Sequence, residues 1–201
     1  LATSVAIADI TPLPTTLAGT KVTVKDSLGV ERLAPLFFVA PSQINYQMPP
    51  GTASGVATVT VTSGDGKLSV GSQQIASVAA GLFTANVSGE GVPAANVFRL
   101  KANGDQSTED LSRFDSTLGR FVAIPIDLGP EGEQVFGIFY ATGVRNGTLA
   151  NVTAKIGGVT CEVLYAGPTP GFIGLDQFNV RLDRSLISRG DVDVVITVNG
   201  K

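Results

Sequence analysis

"SQINYQM" (Ser42 to Met48) and "DQFNVRL" (Asp176 to Leu182) are the two stretches on which the fold reading turns. In the first, Ile44, Tyr46 and Met48 alternate with Gln43, Asn45 and Gln47; in the second, Phe178, Val180 and Leu182 alternate with Gln177, Asn179 and Arg181. A period of two is that of a strand with one buried and one wetted face. Both stretches carry a Q-x-N pair on the polar face, so one chain contains the same half-buried strand twice.

Working outward, the match extends to whole units. Residues 21–67 lie over residues 151–201 with a few extra residues in the second copy: Val22-Thr23 meets Val152-Thr153, Lys25 meets Lys155, and each copy runs through a glycine (Gly55, Gly190) into a Val/Thr-rich strand and a Gly-containing turn. Short strands between Pro and Gly turns, with almost no helical periodicity, predict an all-β chain of two tandem immunoglobulin-like β-sandwich domains. The expected strands are 21–25, 33–39, 43–48, 57–62 and 68–78 in the first domain, and 96–101, 121–126, 134–140, 152–156, 160–166, 177–182 and 192–198 in the second. Small and turn-forming residues concentrate over Thr84 to Pro93, so the domains are set at 1–86, with an extended N-terminal arm, and 87–201. "QSTEDLSRFDS" (Gln106 to Ser116) has capping-box spacing at Ser107 and Asp110 and reads as a charged loop with at most a helical turn.

Composition narrows the function. Charged residues are 15% of the chain, the net charge is -3, and Leu33 to Gly64 carries no charge, yet Pro35, Pro41, Pro49 and Pro50 preclude a spanning helix there. The acidic balance, without clustered Lys and Arg, argues against nucleic acid and anionic membrane as partners. The absence of histidine removes Ser-His-Asp and Cys-His catalysis and HExxH zinc sites. No phosphate-binding glycine motif or calcium-loop spacing occurs, so no cofactor or metal is expected, and "SGDG" and "NGD" read as hairpin turns. The 17 acids sit mostly in turns, which sets a carboxylate-pair glycosidase behind a non-enzymatic role. Cys161, the one cysteine, shares a strand face with Val159 and Val163 and reads as a small buried hydrophobe. Three N-x-[ST] sequons stand at Asn86, Asn146 and Asn151.

At "PLPTTLAGTKVTVKD", "APLFFVAPSQINYQMPPG", "VLYAGPTPGFIGLDQFNVRL" and "GDVDVVITVNGK" the chain resembles a domain that recurs at the C-termini of predicted secreted proteins of Solibacter-type acidobacteria. The resemblance covers essentially the whole chain. It implies an extracellular location and an immunoglobulin-like or related sandwich, and it carries no catalytic residues. Members of that family usually have a further strand ahead of the position of Leu1 and another after that of Lys201.

The expected function is therefore an extracellular or cell-surface structural protein, a filament subunit that self-associates into a homopolymer by strand complementation. A cell-surface adhesion or carbohydrate-binding module is the alternative, although Trp is absent and Tyr46, Tyr140 and Tyr165 all fall in expected strands. Gln43, Asn45, Gln177 and Asn179 are read as architectural amides holding neighbouring loop backbone. The last strand, with Val194, Ile196 and Val198 on one face, leads into Asn199-Gly200, a hairpin dipeptide, and no partner strand follows. It is the expected acceptor edge. Leu1, Val5 and Ile7 share one face of an extended arm and form the expected donor, acting on a neighbouring molecule or completing their own domain. A longer native chain that supplies the strand itself is the third reading.

Overall fold

The structure, a computed structural model, describes residues 1–201 and is all-β, with every strand ladder antiparallel. Helical structure is confined to two single 3-10 turns, Leu149–Asn151 and Arg184–Leu186. The chain divides into two compact units, Leu1–Ser77 and Val78–Lys201. The boundary expected after residue 86 lies inside the second unit, because Val78 is buried in that unit's core and the Gly81–Leu82 strand pairs with Thr142 and Ala141.

The first unit contains β1 (Ala6–Ile7), β2 (Lys21–Lys25), β3 (Glu31–Leu33), β4 (Leu36–Val39), β5 (Ile44–Tyr46), β6 (Gly55–Thr62) and β7 (Leu68–Ile75). They form two sheets, β1-β4-β5 and β3-β2-β6-β7. Val22, Val24 and Ala57 from one sheet and Leu36 and Val39 from the other are fully buried in a shared core, with Ile44, Tyr46 and Met48 packed against it. The alternation in "SQINYQM" thus faces inward as expected. The single strand expected over 33–39 is instead two strands in different sheets, because Pro35, which has no N–H to give a ladder, stands at the crossing. β6 and β7 join through Ser63 to Lys67, where Gly66 takes a left-handed φ of 81°. Asp65 closes this turn by accepting from Lys67 and from the Ser63 hydroxyl, and these contacts hold its carboxyl below the usual carboxylate range.

The second unit contains β8 (Gly81–Leu82), β9 (Ala95–Leu100), β10 (Gln106–Asp110), β11 (Ser112–Asp115), β12 (Arg120–Ala123), β13 (Gln134–Thr142), β14 (Val152–Ile156), β15 (Val159–Cys161), β16 (Val163–Pro168), β17 (Asp176–Arg181) and β18 (Val194–Val198). One sheet runs β10-β9-β13-β17-β16, with β8 also on β13; a second runs β15-β14-β18; β11 and β12 make a separate hairpin. The core joins Val97, Phe139, Phe178 and Val180 of the first sheet to Ala154, Cys161 and Val198 of the second.

The "QSTEDLSRFDS" segment is not a loop: it supplies β10 and β11, paired with β9 and β12. Its alternation explains the difference. Ser107 and Glu109 are half-buried while Gln106, Thr108 and Asp110 are exposed, and Glu109 reaches the guanidinium of Arg99, which is only 7% exposed. A charged strand is stable there because Arg99 also takes Glu133 and the carbonyl of Asp127.

The internal repeat is structural as well as sequential. β2-β3 pairs as β14-β15 does, β2-β6 as β14-β18, and β4-β5 as β16-β17. Even the irregularity is repeated: the β4-β5 ladder slips between Leu36 and Phe38, the β16-β17 ladder between Val163 and Tyr165.

Candidate strand-acceptor site

The repeated amides stand where the period of two places them, with Gln43, Asn45, Gln177 and Asn179 on the side of their strands away from the core. Their partners differ from those expected. Gln43 Nε2 donates to Asn45 Oδ1 at 2.7 Å, and Gln177 Nε2 donates to Asn179 Oδ1 at 3.0 Å, so each pair closes on itself rather than on loop backbone. Residues i and i+2 of a strand lie close enough on one face for two amides to satisfy each other.

β18 is the element where the two units diverge. In the first unit its counterpart β6 has β2 on one edge and β7 along all eight residues of the other. In the second unit β18 pairs with β14 over Val194 to Val198, and its other edge has no ladder partner among residues 1–201. Val198 is fully buried, Val194 and Ile196 are half-buried, and Val195 is 52% exposed.

An open cleft of about 1760 Å³ lies along β18. Its lining is mixed: Val192, Val194, Ile196, the Phe121–Ile126 segment and the core residues Phe139 and Phe178 are apolar, while Arg120, Asp127, Arg189, Asp191 and Asp193 bring charge to it. Small-molecule pockets measure roughly 300–1,000 Å³ and are more enclosed. An open cleft of mixed lining beside an unpaired strand edge has room for an extended peptide, whose backbone could extend the sheet.

The segment expected to act as donor lies in the first unit. Ala6 pairs with Val39 and Ile7 with Phe38, Ala8 N donates to Phe37 O at 2.9 Å, and the Leu1 amine donates to Pro41 O at 2.9 Å. Ala2 is buried and Ala6 packs against the core. Leu1, Val5 and Ile7 are 47%, 66% and 72% exposed, but the chain bends at Thr3 and Ser4 and is strand only over Ala6–Ile7, so the single extended face expected of these three residues does not form here.

Elsewhere several charged groups are structurally committed. Buried Asp176 accepts from Val144 N and Arg145 Nε at 2.9 and 2.6 Å, and Arg184 donates to the carbonyls of Leu128, Gly129 and Pro130. The Arg99 guanidinium holds the Glu109 carboxyl below its ordinary value. Cys161 is buried between Val159 and Val163, and no group of three or more acids or cysteines is placed to hold a metal ion. The sequons at Asn86, Asn146 and Asn151 are all exposed. No family model, curated protein or solved structure matches the chain.

The β18 edge is readable from the sequence, but the cleft is not. Its walls and floor come from positions near 121–126, 139, 178 and 192–196, and no local pattern in any of them signals that the space between is open.

Proposed function

We propose that this chain is an extracellular structural protein of two tandem immunoglobulin-like domains, and that its second domain takes up an added β-strand so that copies join head to tail into a homopolymer. The observation that carries the reading is the β18 edge, unpaired among residues 1–201, lying along an open cleft of mixed lining. Unpaired edges are normally blunted by charge, proline or a covering element. β18 has Val, Val, Ile, Thr and Val, and none of those devices. The first domain shows what the fold does with the equivalent edge, since β6 is covered by an antiparallel strand. The resemblance to secreted proteins supports the extracellular part of the proposal.

The test is complementation in trans. A synthetic peptide of residues 68–75, the strand that covers β6, is added to the full chain, and amide hydrogen exchange is followed along Val194 to Val198. Selective slowing there, with loss of higher oligomers in light scattering, supports strand uptake. Unchanged exchange at saturating peptide, with a monomeric chain throughout, overturns it.

A carbohydrate-binding role is favoured by a different observation. Phe114 is 57% exposed and packs edge-on against Phe121 at 5.5 Å between ring centroids, on the β11-β12 hairpin. Glycan-array binding that a Phe114→Ala substitution abolishes would move the function to that class.

A further inference from the structure

We infer that a second copy of this chain docks on the outer face of the large sheet of the second unit, in a two-fold, face-to-face contact centred between β9 and β13. The inference is independent of strand uptake at β18.

An antiparallel sheet with one face on a core normally wets the other, so its strands alternate apolar and polar residues. β13 does not. Val135, Phe139 and Ala141 enter the core, yet the intervening Phe136, Ile138 and Tyr140 are also apolar or aromatic, half-buried, and part of neither core. β9 repeats the pattern, with Val97 inward and Phe98 and Leu100 outward. The outward rings gather. Phe98 and Phe136 are cross-strand partners with ring centroids 6.0 Å apart, and the Arg181 guanidinium lies 5.9 Å from the centroid of the Phe136 ring. The polar groups beside them bond to one another: Tyr140 Oη donates to Asn96 Oδ1 at 3.0 Å, and Gln177 Nε2 to Asn179 Oδ1 at 3.0 Å.

Composition and charge select a second copy as the occupant. Across β10, β9, β13 and β17 this face carries no lysine and no glutamate, one aspartate and one arginine. Protein-binding surfaces are enriched in Phe, Tyr and Arg and depleted in Lys, Glu and Asp. The two charges stand on opposite rims, Asp110 on β10 and Arg181 on β17, and both are exposed. Asp110 accepts only from Asn96, at 3.4 Å, and Arg181 pairs with the exposed Glu162 at 3.2 Å. A two-fold axis parallel to the strands sets the β10 rim of each copy over the β17 rim of the other. Phe98 then faces Phe136 of the second copy, and Asp110 lies about 7 Å along the strand direction from the row of Arg181, a step that the long arginine side chain spans. The same contact is made twice, because the interface is isologous. The face measures about 20 by 25 Å, or about 500 Å² a side, the low end for specific interfaces, so the dimer is a weak one.

The test uses the full chain and two exposed positions, Asp110→Arg and Arg181→Glu. Each variant should keep the parent's thermal midpoint and dimerise at least about tenfold more weakly in sedimentation velocity, since like charges then meet twice. An equimolar mixture of the two should recover the parent level, because each copy supplies the charge that the other now needs. Ile138→Lys, at the middle of the face, should abolish the dimer with the circular dichroism unchanged. A head-to-tail contact at β18 uses none of these side chains, so its presence or absence leaves the outcome readable. A parent that stays monomeric up to about 1 mM overturns the inference. So does a mixture that associates no better than its components, or an Ile138→Lys variant that dimerises like the parent. Glycan-array binding by a monomeric parent that Ile138→Lys removes also overturns it and gives the face to a sugar.

Discussion

Asp26 shows how one side chain organises the first unit. Its carboxylate accepts from the amides of Ala53, Val30 and Leu28 at 3.1, 3.0 and 3.0 Å and from Arg32 Nη1 at 2.6 Å, tying the β2-β3 turn to the residues before β6. These donors, the Ala53 amide foremost, hold its carboxyl at about 2 against an ordinary 3.8. The folded value is depressed, so the stabilisation is fully present above the unfolded value and is lost as pH falls from about 4 through 2. An Asp26→Asn variant should have a lower denaturation midpoint at pH 7 and a flatter loss of stability between pH 4 and 2, measured by denaturant titration at each pH. Gly137 is a second such position. A Cβ there would lie 2.6 Å from Phe139 Cε2, and the Phe139 ring, at 2% exposure, would have to shift within the core to admit it. Gly137→Ala should cost about 1–3 kcal/mol through overpacking, read from urea midpoints at constant m-value.

Among the elements, β7 and β18 form an instructive contrast. β7 covers the β6 edge for eight residues while seven of its own eight residues stay exposed, so it acts mainly as a backbone partner. Val70, at 66% exposure, should accept lysine with a stability change within about 0.5 kcal/mol, checked by chemical denaturation, and with better solubility because a charge blunts the outer edge. β10 carries the opposite lesson. Its residues read as a charged loop because strand propensity and hydropathy are low, yet the segment pairs along five residues with β9. What decides the matter is Arg99, eight positions before Ser107, whose buried guanidinium needs the Glu109 carboxylate on the inward face. A partner supplied by another strand overrides local propensity, and a reading that weighs each window alone does not register it. Glu109→Ala should therefore destabilise the second unit by about 1 kcal/mol, the smaller scale of a half-exposed pair, since Arg99 keeps Glu133 and the Asp127 carbonyl, as measured by thermal or urea unfolding.

At the scale of the whole molecule, the two cores share no residue: one runs from Ala2 to Ile75 and the other from Val78 to Val198. Fragments 1–77 and 78–201 should each fold alone, giving β-type circular dichroism and cooperative unfolding. A fragment ending at residue 86 should gain nothing over 1–77, because residues 78–86 bring strand β8 without its partner β13. Much of this architecture was legible in advance. The period of two in residues 42–48 and 176–182 assigned the strands and their inward faces, since side-chain alternation is a local property of extended backbone. The repeat aligned β2 with β14 and β6 with β18 because equivalent ladders demand equivalent patterns. Glycine and proline marked most of the turns. Tertiary structure decided what depends on partners distant in sequence: that Pro35 sends the chain from one sheet to the other, that the repeated amides bond to each other, that residues 1–7 bend at Thr3 and Ser4 and leave Leu1, Val5 and Ile7 exposed, and that the space along β18 is open. Each of these is set by which surfaces meet across the fold, and a one-dimensional pattern specifies which face of a strand is apolar without specifying what lies opposite it.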